Sequence, residues 1–216
     1  MQVIWQGQSC FQIITLVKKN SQVNIVIDPF EETIGLKLPK LEADILLITH
    51  NHQDHNNIKG VLGKAFIIDG PGEYEVKEIY IQGIKSWHDS SLGKERGDNT
   101  IYTIETEEMK ICHLGDLGQK ELSAEQIEKI GQVDILMIPI GGLYTISAEE
   151  AIKIMSQIEP KITIPMHYQI PKLKIKLDGL DKFLKTIGIK SIEPLTKLSI
   201  KKKDLIEEVK IIVLKP

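Results

Sequence analysis

Three of the six histidines in this chain of 216 residues fall within six positions, in Thr49-His50-Asn51-His52-Gln53-Asp54-His55. Imidazole and carboxylate are the donor types that zinc, manganese and iron accept. Four such donors in one short loop can converge on a single point, and they cannot all point away from one another. The bland alternative is a solvated polar turn. It fits poorly with the residues just ahead, Asp44-Ile45-Leu46-Leu47-Ile48-Thr49, which read as a strand buried on both faces and deliver the cluster to a fixed place. The other histidines also stand at strand ends or turns: His88 in Ser86-Trp87-His88-Asp89-Ser90, His113 in Cys112-His113-Leu114-Gly115-Asp116, and His167 after Ile162-Thr163-Ile164-Pro165-Met166. Taken singly, each reads as an ordinary hydrogen-bonded histidine. Strand ends on one side of a sheet sandwich gather at one edge, so together they are what would complete a metal site.

The elements that must position these residues change along the chain. Residues 3–5, 11–17, 23–28, 44–49, 65–69, 74–84, 100–105 and 110–113 read as strands, rich in β-branched and aromatic residues and parted by polar breaks. Gly7 and the stretch Lys18-Lys19-Asn20-Ser21 supply early turns, and Gly70-Pro71-Gly72 supplies a later one. After residue 115, helices and strands alternate. Ser123-Ala124-Glu125-Gln126 is a capping box opening a helix that Gly131 closes, and Ser147-Ala148-Glu149-Glu150 opens a second that runs to about residue 158. Strands are expected at 134–140, 162–166 and 209–214, and a short helix at 180–186. Ala43-Asp44-Ile45-Leu46-Leu47-Ile48 resembles Val133-Asp134-Ile135-Leu136-Met137-Ile138, a coarse internal duplication. Strand-rich and helix-and-strand halves with such a duplication suggest two sheets packed face to face with helices outside, one domain over residues 1–216.

Composition sets the bounds. With 42% apolar and 26% charged residues the chain is an ordinary globular one, which excludes disorder and fibrous repeats. A net charge of −3, with Arg96 the single arginine, argues against a nucleic-acid partner. No apolar run reaches the roughly 20 residues of a membrane span. Met1-Gln2-Val3-Ile4-Trp5 lacks the features of a secretory leader, and Cys10 and Cys112 belong to no Cys-x-x-Cys pair, so a cytoplasmic protein is expected.

The order of motifs, His-x-His-x-Asp-His after an apolar strand, then an isolated His, then Gly-Asp, then a strand ending in Pro-x-His, resembles the metallo-β-lactamase fold hydrolases over essentially the whole chain. The segments His113-Leu114-Gly115-Asp116, Ile138-Pro139-Ile140-Gly141-Gly142-Leu143-Tyr144-Thr145 and Ile164-Pro165-Met166-His167-Tyr168 are similar to the branch that includes ascorbate-6-phosphate lactonase and Zn-dependent hydrolases of the β-lactamase fold. The resemblance implies an α/β fold, the αββα sandwich, in which two mixed β-sheets pack face to face with helices on the outer faces. It also implies two divalent metal ions, zinc first, with manganese or iron as alternatives. One would be held by His50, His52 and His88, the other by Asp54, His55 and His167, with Asp116 bridging both. His113 is not a ligand in that pattern and is expected to support the ligands from behind. Many relatives have histidine where this chain has Gln8, a departure outside the ligand set.

Two divalent ions about 3.5–4 Å apart hold a water or hydroxide between them and bring its pKa towards neutrality, ready to attack a carbonyl or phosphorus. Asp54 would orient that nucleophile as the catalytic group. Tyr144, Tyr168 and Arg96 are the substrate-binding candidates, the arginine for its fit to phosphate or carboxylate. Glu73 and Glu75 flank a turn and are weaker candidates, Lys201-Lys202-Lys203 reads as a solvated turn, and both cysteines read as small buried side chains, with Cys112 four residues from Asp116. The leading expectation is a metal-dependent hydrolase of a small-molecule ester, lactone or phosphoester. The alternatives are a metallo-nuclease acting on RNA or DNA and a metal-binding protein without turnover. A small-molecule substrate and a homo-oligomer fit this reading; a membrane partner does not. Residues 29–40, 89–98 and 168–178 are expected to form the pocket loops.

Overall fold

The computed structural model describes residues 1–18, 21–206 and 208–216; the turn read at Lys19 and Asn20 lies outside the described residues. In chain order the strands are β1 (Gln2–Gly7), β2 (Cys10–Val17), β3 (Ser21–Ile27), β4 (Leu41–Glu42), β5 (Ile45–Leu47), β6 (Val61–Leu62), β7 (Phe66–Ile68), β8 (Gly72–Val76), β9 (Ile79–Trp87), β10 (Asp98–Thr106), β11 (Met109–His113), β12 (Ile135–Pro139), β13 (Ile162–Met166), β14 (Leu198–Ser199) and β15 (Lys210–Ile211). The helices are α1 (Ala124–Ile130), α2 (Ala148–Ile158) and α3 (Leu180–Thr186).

Two mixed sheets form from these strands. One has the order β14-β1-β2-β3-β5-β7 and the other β15-β13-β12-β11-β10-β9-β8, with a small β4-β6 pair beside them. Alternation dictates which side chains meet between the sheets. Val3 and Trp5 of β1, Phe11 and Ile13 of β2, and Ile25 and Ile27 of β3 share one buried cluster with Ile81, Tyr102, Ile104 and Ile111 of the second sheet. Ile45 and Leu47 of β5 join that cluster, whereas Leu46 points the other way into a second one with Phe30, Ile34, Leu38 and Leu41. That is why this strand is apolar without interruption. The αββα sandwich is the observed architecture. Helices α1, α2 and α3 bury Ile130, Ala148, Ala151, Ile154, Phe183 and Leu184 in the main cluster, and residues 29–43 layer over β3 and β5 with a single 3-10 turn, Glu32–Ile34.

Both capping boxes form, Ser123 with Gln126 and Ser147 with Glu150. The duplicated segments do equivalent work. Asp44 exchanges two hydrogen bonds with Asn24, its N–H donating to the carbonyl (2.8 Å) and its Oδ2 accepting from the N–H (2.8 Å). Asp134 does the same with Lys110 at 2.9 and 3.0 Å. Each aspartate locks the start of a buried strand to the parallel neighbour before it.

Two strand expectations need correction. Residues 74–84 are a hairpin, not one strand: the chain reverses at Lys77 and Glu78, both at positive φ (51° and 63°), in a two-residue turn without the usual glycine or asparagine signal. Of 209–214, only Lys210–Ile211 pairs with β13, and Leu214 returns as an isolated bridge to Leu195. Among the described residues no helix is long and apolar enough to cross a membrane.

Candidate metal centre

Strand direction gathers the site. β1, β3 and β5 run the same way in the first sheet, as do β9, β11, β12 and β13 in the second. Gln8 follows β1, Asp28 follows β3, the loop 48–57 follows β5, His88 follows β9, Asp116 lies just past β11, and His167 follows β13. All emerge from carboxyl ends of strands, where open sheets place their crevices.

The structure brings all seven expected ligands together. Ligand atoms of His50, His52 and His88 lie within 4.8 Å of one another, and so do those of Asp54, His55, Asp116 and His167. Asp116 Oδ2 stands 3.1 Å from His55 Nε2, 3.0 Å from His167 Nε2 and 3.5 Å from His88 Nε2, so one oxygen faces both groups. Asp54 Oδ2 is 3.4 Å from His55 Nε2 and 3.9 Å from His167 Nε2. Donors around a tetrahedral zinc, at 2.0–2.1 Å from the metal, stand roughly 3.3–3.4 Å apart, the same spacing class.

The residues fit a cation in a second way. His50 Nε2 and His55 Nε2 are buried without a hydrogen-bond partner among the described residues, as are the Nδ1 atoms of His88 and His167. Buried polar atoms are normally satisfied, and the Nε2 atoms of His50 and His55, belonging to rings of the two donor groups, call for a ligand. The proton positions agree. Asp28 Oδ2 accepts from Thr49 Oγ1 (2.7 Å) and from His55 Nδ1 (2.9 Å). Because the carboxylate only accepts, the single Thr49 hydroxyl hydrogen goes to Asp28, and Thr49 Oγ1 must accept from His50 Nδ1 at 3.0 Å. Asp28 thereby sets both rings with Nε2 turned to the centre.

Charge follows geometry. Burial pushes His50 and His88 below the ordinary histidine pKa, helped by the neighbouring His55. Burial also opposes charge on His55, but Asp116, Asp54 and Asp28 outweigh it and hold its pKa well above the usual value. Burial works against the ionised form of Asp116, yet His167 and His55 keep its carboxyl well below the usual range.

Further supports had no role assigned from the sequence. Gln8 Nε2 donates to Asp54 Oδ2 (3.0 Å), Ser9 Oγ donates to Asp116 Oδ1 (3.1 Å), and the Asp116 N–H donates to Asn99 Oδ1 (3.0 Å). His113 behaves as expected. Its Nδ1 accepts from the Gly115 N–H (3.1 Å), so its Nε2 donates to the Ser9 carbonyl (2.9 Å) and no lone pair is left for a metal. Gly115, at φ 58°, has no room for a side chain: a Cβ would stand 2.3 Å from Asn99 Oδ1.

A cavity of about 440 Å³ opens over the centre, lined by His52, Asp54, His88, Arg96, Asp116, Tyr144, His167, Lys174, Ile175 and Lys176. Arg96 and Tyr144 are thus brought to the site, the guanidinium 4.6 Å over the tyrosine ring. Tyr168 is not. Its backbone leaves the ligand His167, but its ring turns into the core against Trp5 (centroids 5.0 Å apart), its hydroxyl lies 3.5 Å from the Leu214 carbonyl, and burial pushes its pKa up. Glu73 and Glu75 point to solvent from β8 at the sheet edge, Cys112 sits in the main core cluster, and residues 29–40 cover the first sheet without lining this cavity.

Comparison with known proteins agrees with this arrangement. Residues 2–167 match the family model described as a beta-lactamase superfamily domain. A UPF0173 protein of Pyrococcus abyssi is 33% identical, with 78% of this chain and 83% of that one covered. A UPF0173 metal-dependent hydrolase of Methanopyrus kandleri is 27% identical, covering 78% and 84%. A crystal structure from Thermotoga maritima, assigned as a Zn-dependent hydrolase of the metallo-beta-lactamase superfamily, superposes with a TM-score of 0.78 at 33% identity, covering 99% of this chain and 97% of that one. With seven clustered donors at the carboxyl ends of two facing sheets and a family match over most of its length, the chain belongs to the beta-lactamase superfamily, in its UPF0173 group.

Proposed function

We propose that this protein is a metal-dependent hydrolase with two divalent ions, zinc first, acting on an ester, lactone or phosphoester bond of a small molecule. The observation that carries the reading is Asp116 Oδ2, a single oxygen within 3.5 Å of an Nε2 atom from each donor group. His50, His52 and His88 would hold one ion and Asp54, His55 and His167 the other, with Asp116 between them. Such ions supply Lewis acidity and an activated water when bound. The chain's own residues do the rest. Asp54, half-buried at the cavity wall and oriented by Gln8, offers a carboxylate to accept the proton of an attacking water. Asp28 and Thr49 keep the His55 and His50 rings from turning. The exposed His52 marks the open side by which substrate enters. The UPF0173 relatives named as metal-dependent hydrolases support the same class of reaction.

The test is elemental analysis of protein purified without chelator, joined to initial rates on ester, lactone and phosphodiester panels. About two divalent ions per chain are expected, with turnover abolished in Asp54→Ala and metal content reduced in Asp116→Ala. Absence of stoichiometric metal from zinc, manganese and iron preparations alike overturns the proposal.

A further inference from the structure

The cavity over the metal centre carries three basic side chains that the hydrolytic chemistry does not use. Arg96 comes from the link between β9 and β10, and Lys174 and Lys176 come from the loop after β13. Among the described residues none of the three makes an ion pair within 4 Å, although nine other lysines do. Unpaired cations scattered over a surface mean nothing. Here they converge from remote segments on one concave space.

Both segments are built to present them. The Asp89 carboxylate accepts from the backbone N–H groups of Ser91 (2.7 Å), Gly93 (2.9 Å), Glu95 (3.0 Å) and Arg96 itself (2.8 Å), which closes the link into a fixed turn. The Arg96 guanidinium then lies on the Tyr144 ring. In the other loop, Gln169 occupies the middle: its Nε2 donates to the carbonyls of Ile170 and Leu173, and its Oε1 accepts from the Leu177 N–H. Leu173 and Leu177 are buried, and the Lys174 N–H donates to the Ile34 carbonyl (2.8 Å). Lys174 and Lys176 alternate with these anchors and stay exposed. The two carboxylates lining the cavity, Asp54 and Asp116, face imidazoles and would be engaged by metal. Among the described residues no acidic side chain lining the cavity is left to balance the three cations.

Resting on the hydrolase reading above, we infer that the substrate is a small molecule bearing a compact anionic group, a phosphate or carboxylate apart from the scissile bond, which Arg96, Lys174 and Lys176 bind. A cavity of about 440 Å³ suits a small molecule, and a net charge of −3 disfavours a polynucleotide.

The test compares metal-loaded wild type with Arg96→Ala and the double variant Lys174→Ala/Lys176→Ala, after metal content and circular dichroism establish that each is loaded and folded. Matched probes are 4-nitrophenyl hemisuccinate, which carries a free carboxylate, and neutral 4-nitrophenyl butyrate. The ratio of their kcat/KM values is expected to favour the hemisuccinate in wild type and to fall about tenfold or more in each variant, through KM. Inorganic phosphate is expected to raise the Tm of wild type more than that of the variants; its contact with the metals is common to all three and cancels. Equal ratios and equal shifts in all three proteins overturn the anion subsite. If neither ester is turned over by fully loaded wild type, the hydrolase reading loses support while the phosphate shifts still decide the subsite. Tight binding of a single-stranded RNA oligonucleotide, lost in the same variants, overturns the small-molecule assignment.

Discussion

Gln8 Nε2 donates to Asp54 Oδ2 across 3.0 Å, and the Gln8 carbonyl accepts from the Trp5 indole (2.8 Å) and the His167 N–H (3.0 Å). One residue from the first turn of the chain therefore orients a carboxylate of the loop after β5 and holds the backbone of the ligand that follows β13. Replacing Gln8 with alanine removes the side-chain bond and leaves the carbonyl contacts in place. Metal stoichiometry should survive, and kcat should fall by about ten- to a hundredfold, the range typical when a support to a ligand is lost. Rates per bound metal ion check this. Wild-type kcat in Gln8→Ala would mean that Asp54 needs no such support.

Asp28 is buried and at φ 49°, a conformation asparagine also tolerates. Asp28→Asn therefore keeps the backbone while spoiling the paired acceptance from Thr49 and His55. Zinc affinity is expected to fall about ten- to a hundredfold, read by competition against a chromophoric chelator, with the far-UV circular dichroism unchanged.

Metal uptake should be linked to protons, with a defined sign. In metal-free protein the three neighbouring carboxylates outweigh burial and favour the protonated form of His55, whereas burial favours the neutral forms of His50 and His88. A metal must displace the His55 proton, so this residue releases a proton, and its share of the apparent affinity weakens about tenfold per unit as pH falls. Calorimetric zinc titrations in buffers of differing ionisation enthalpy measure the release. A buffer-independent heat would refute it.

Gly141 lies against the ligand strand: a Cβ there would stand 2.2 Å from the His167 carbonyl oxygen. Gly141→Ala forces that backbone to move, at a cost of about 1–3 kcal/mol, or a Tm lower by roughly 2–12 °C for a chain of this size. Gly70, where an added Cβ meets nothing within 4 Å, is the control, and Gly70→Ala should leave the Tm nearly unchanged.

The sequence made the ligands legible because donors that follow an apolar strand have few places to go. The loop from His50 to His55, and His88, Asp116 and His167 after three strands of the other sheet, needed only a common strand direction to meet. The supports were hidden for the same physical reason in reverse. Asp28, Ser9 and Asn99 are ordinary polar residues near strand ends, and only the fold shows that their side chains turn inward to the ligands. Tyr168 shows the limit of adjacency. Next to a ligand in sequence, it points into the core, because the backbone leaves the strand after Met166 and turns at His167 (φ 49°), which sets the two side chains apart. Lys174 and Lys176 carry no motif; the register of Leu173 and Leu177 exposes them.

The donors come from both leaves of the sandwich: His50, His52, Asp54 and His55 from one, His88, Asp116 and His167 from the other. Ions seated there would act as rivets through the two leaves at one rim. Demetallation should then let that rim breathe while the opposite rim, where the Glu107 carboxylate of one leaf accepts from the Met1 amino group (2.8 Å) and Thr15 Oγ1 (2.9 Å) of the other, stays shut. Amide exchange would quicken first in the ligand loops and spread inward from them.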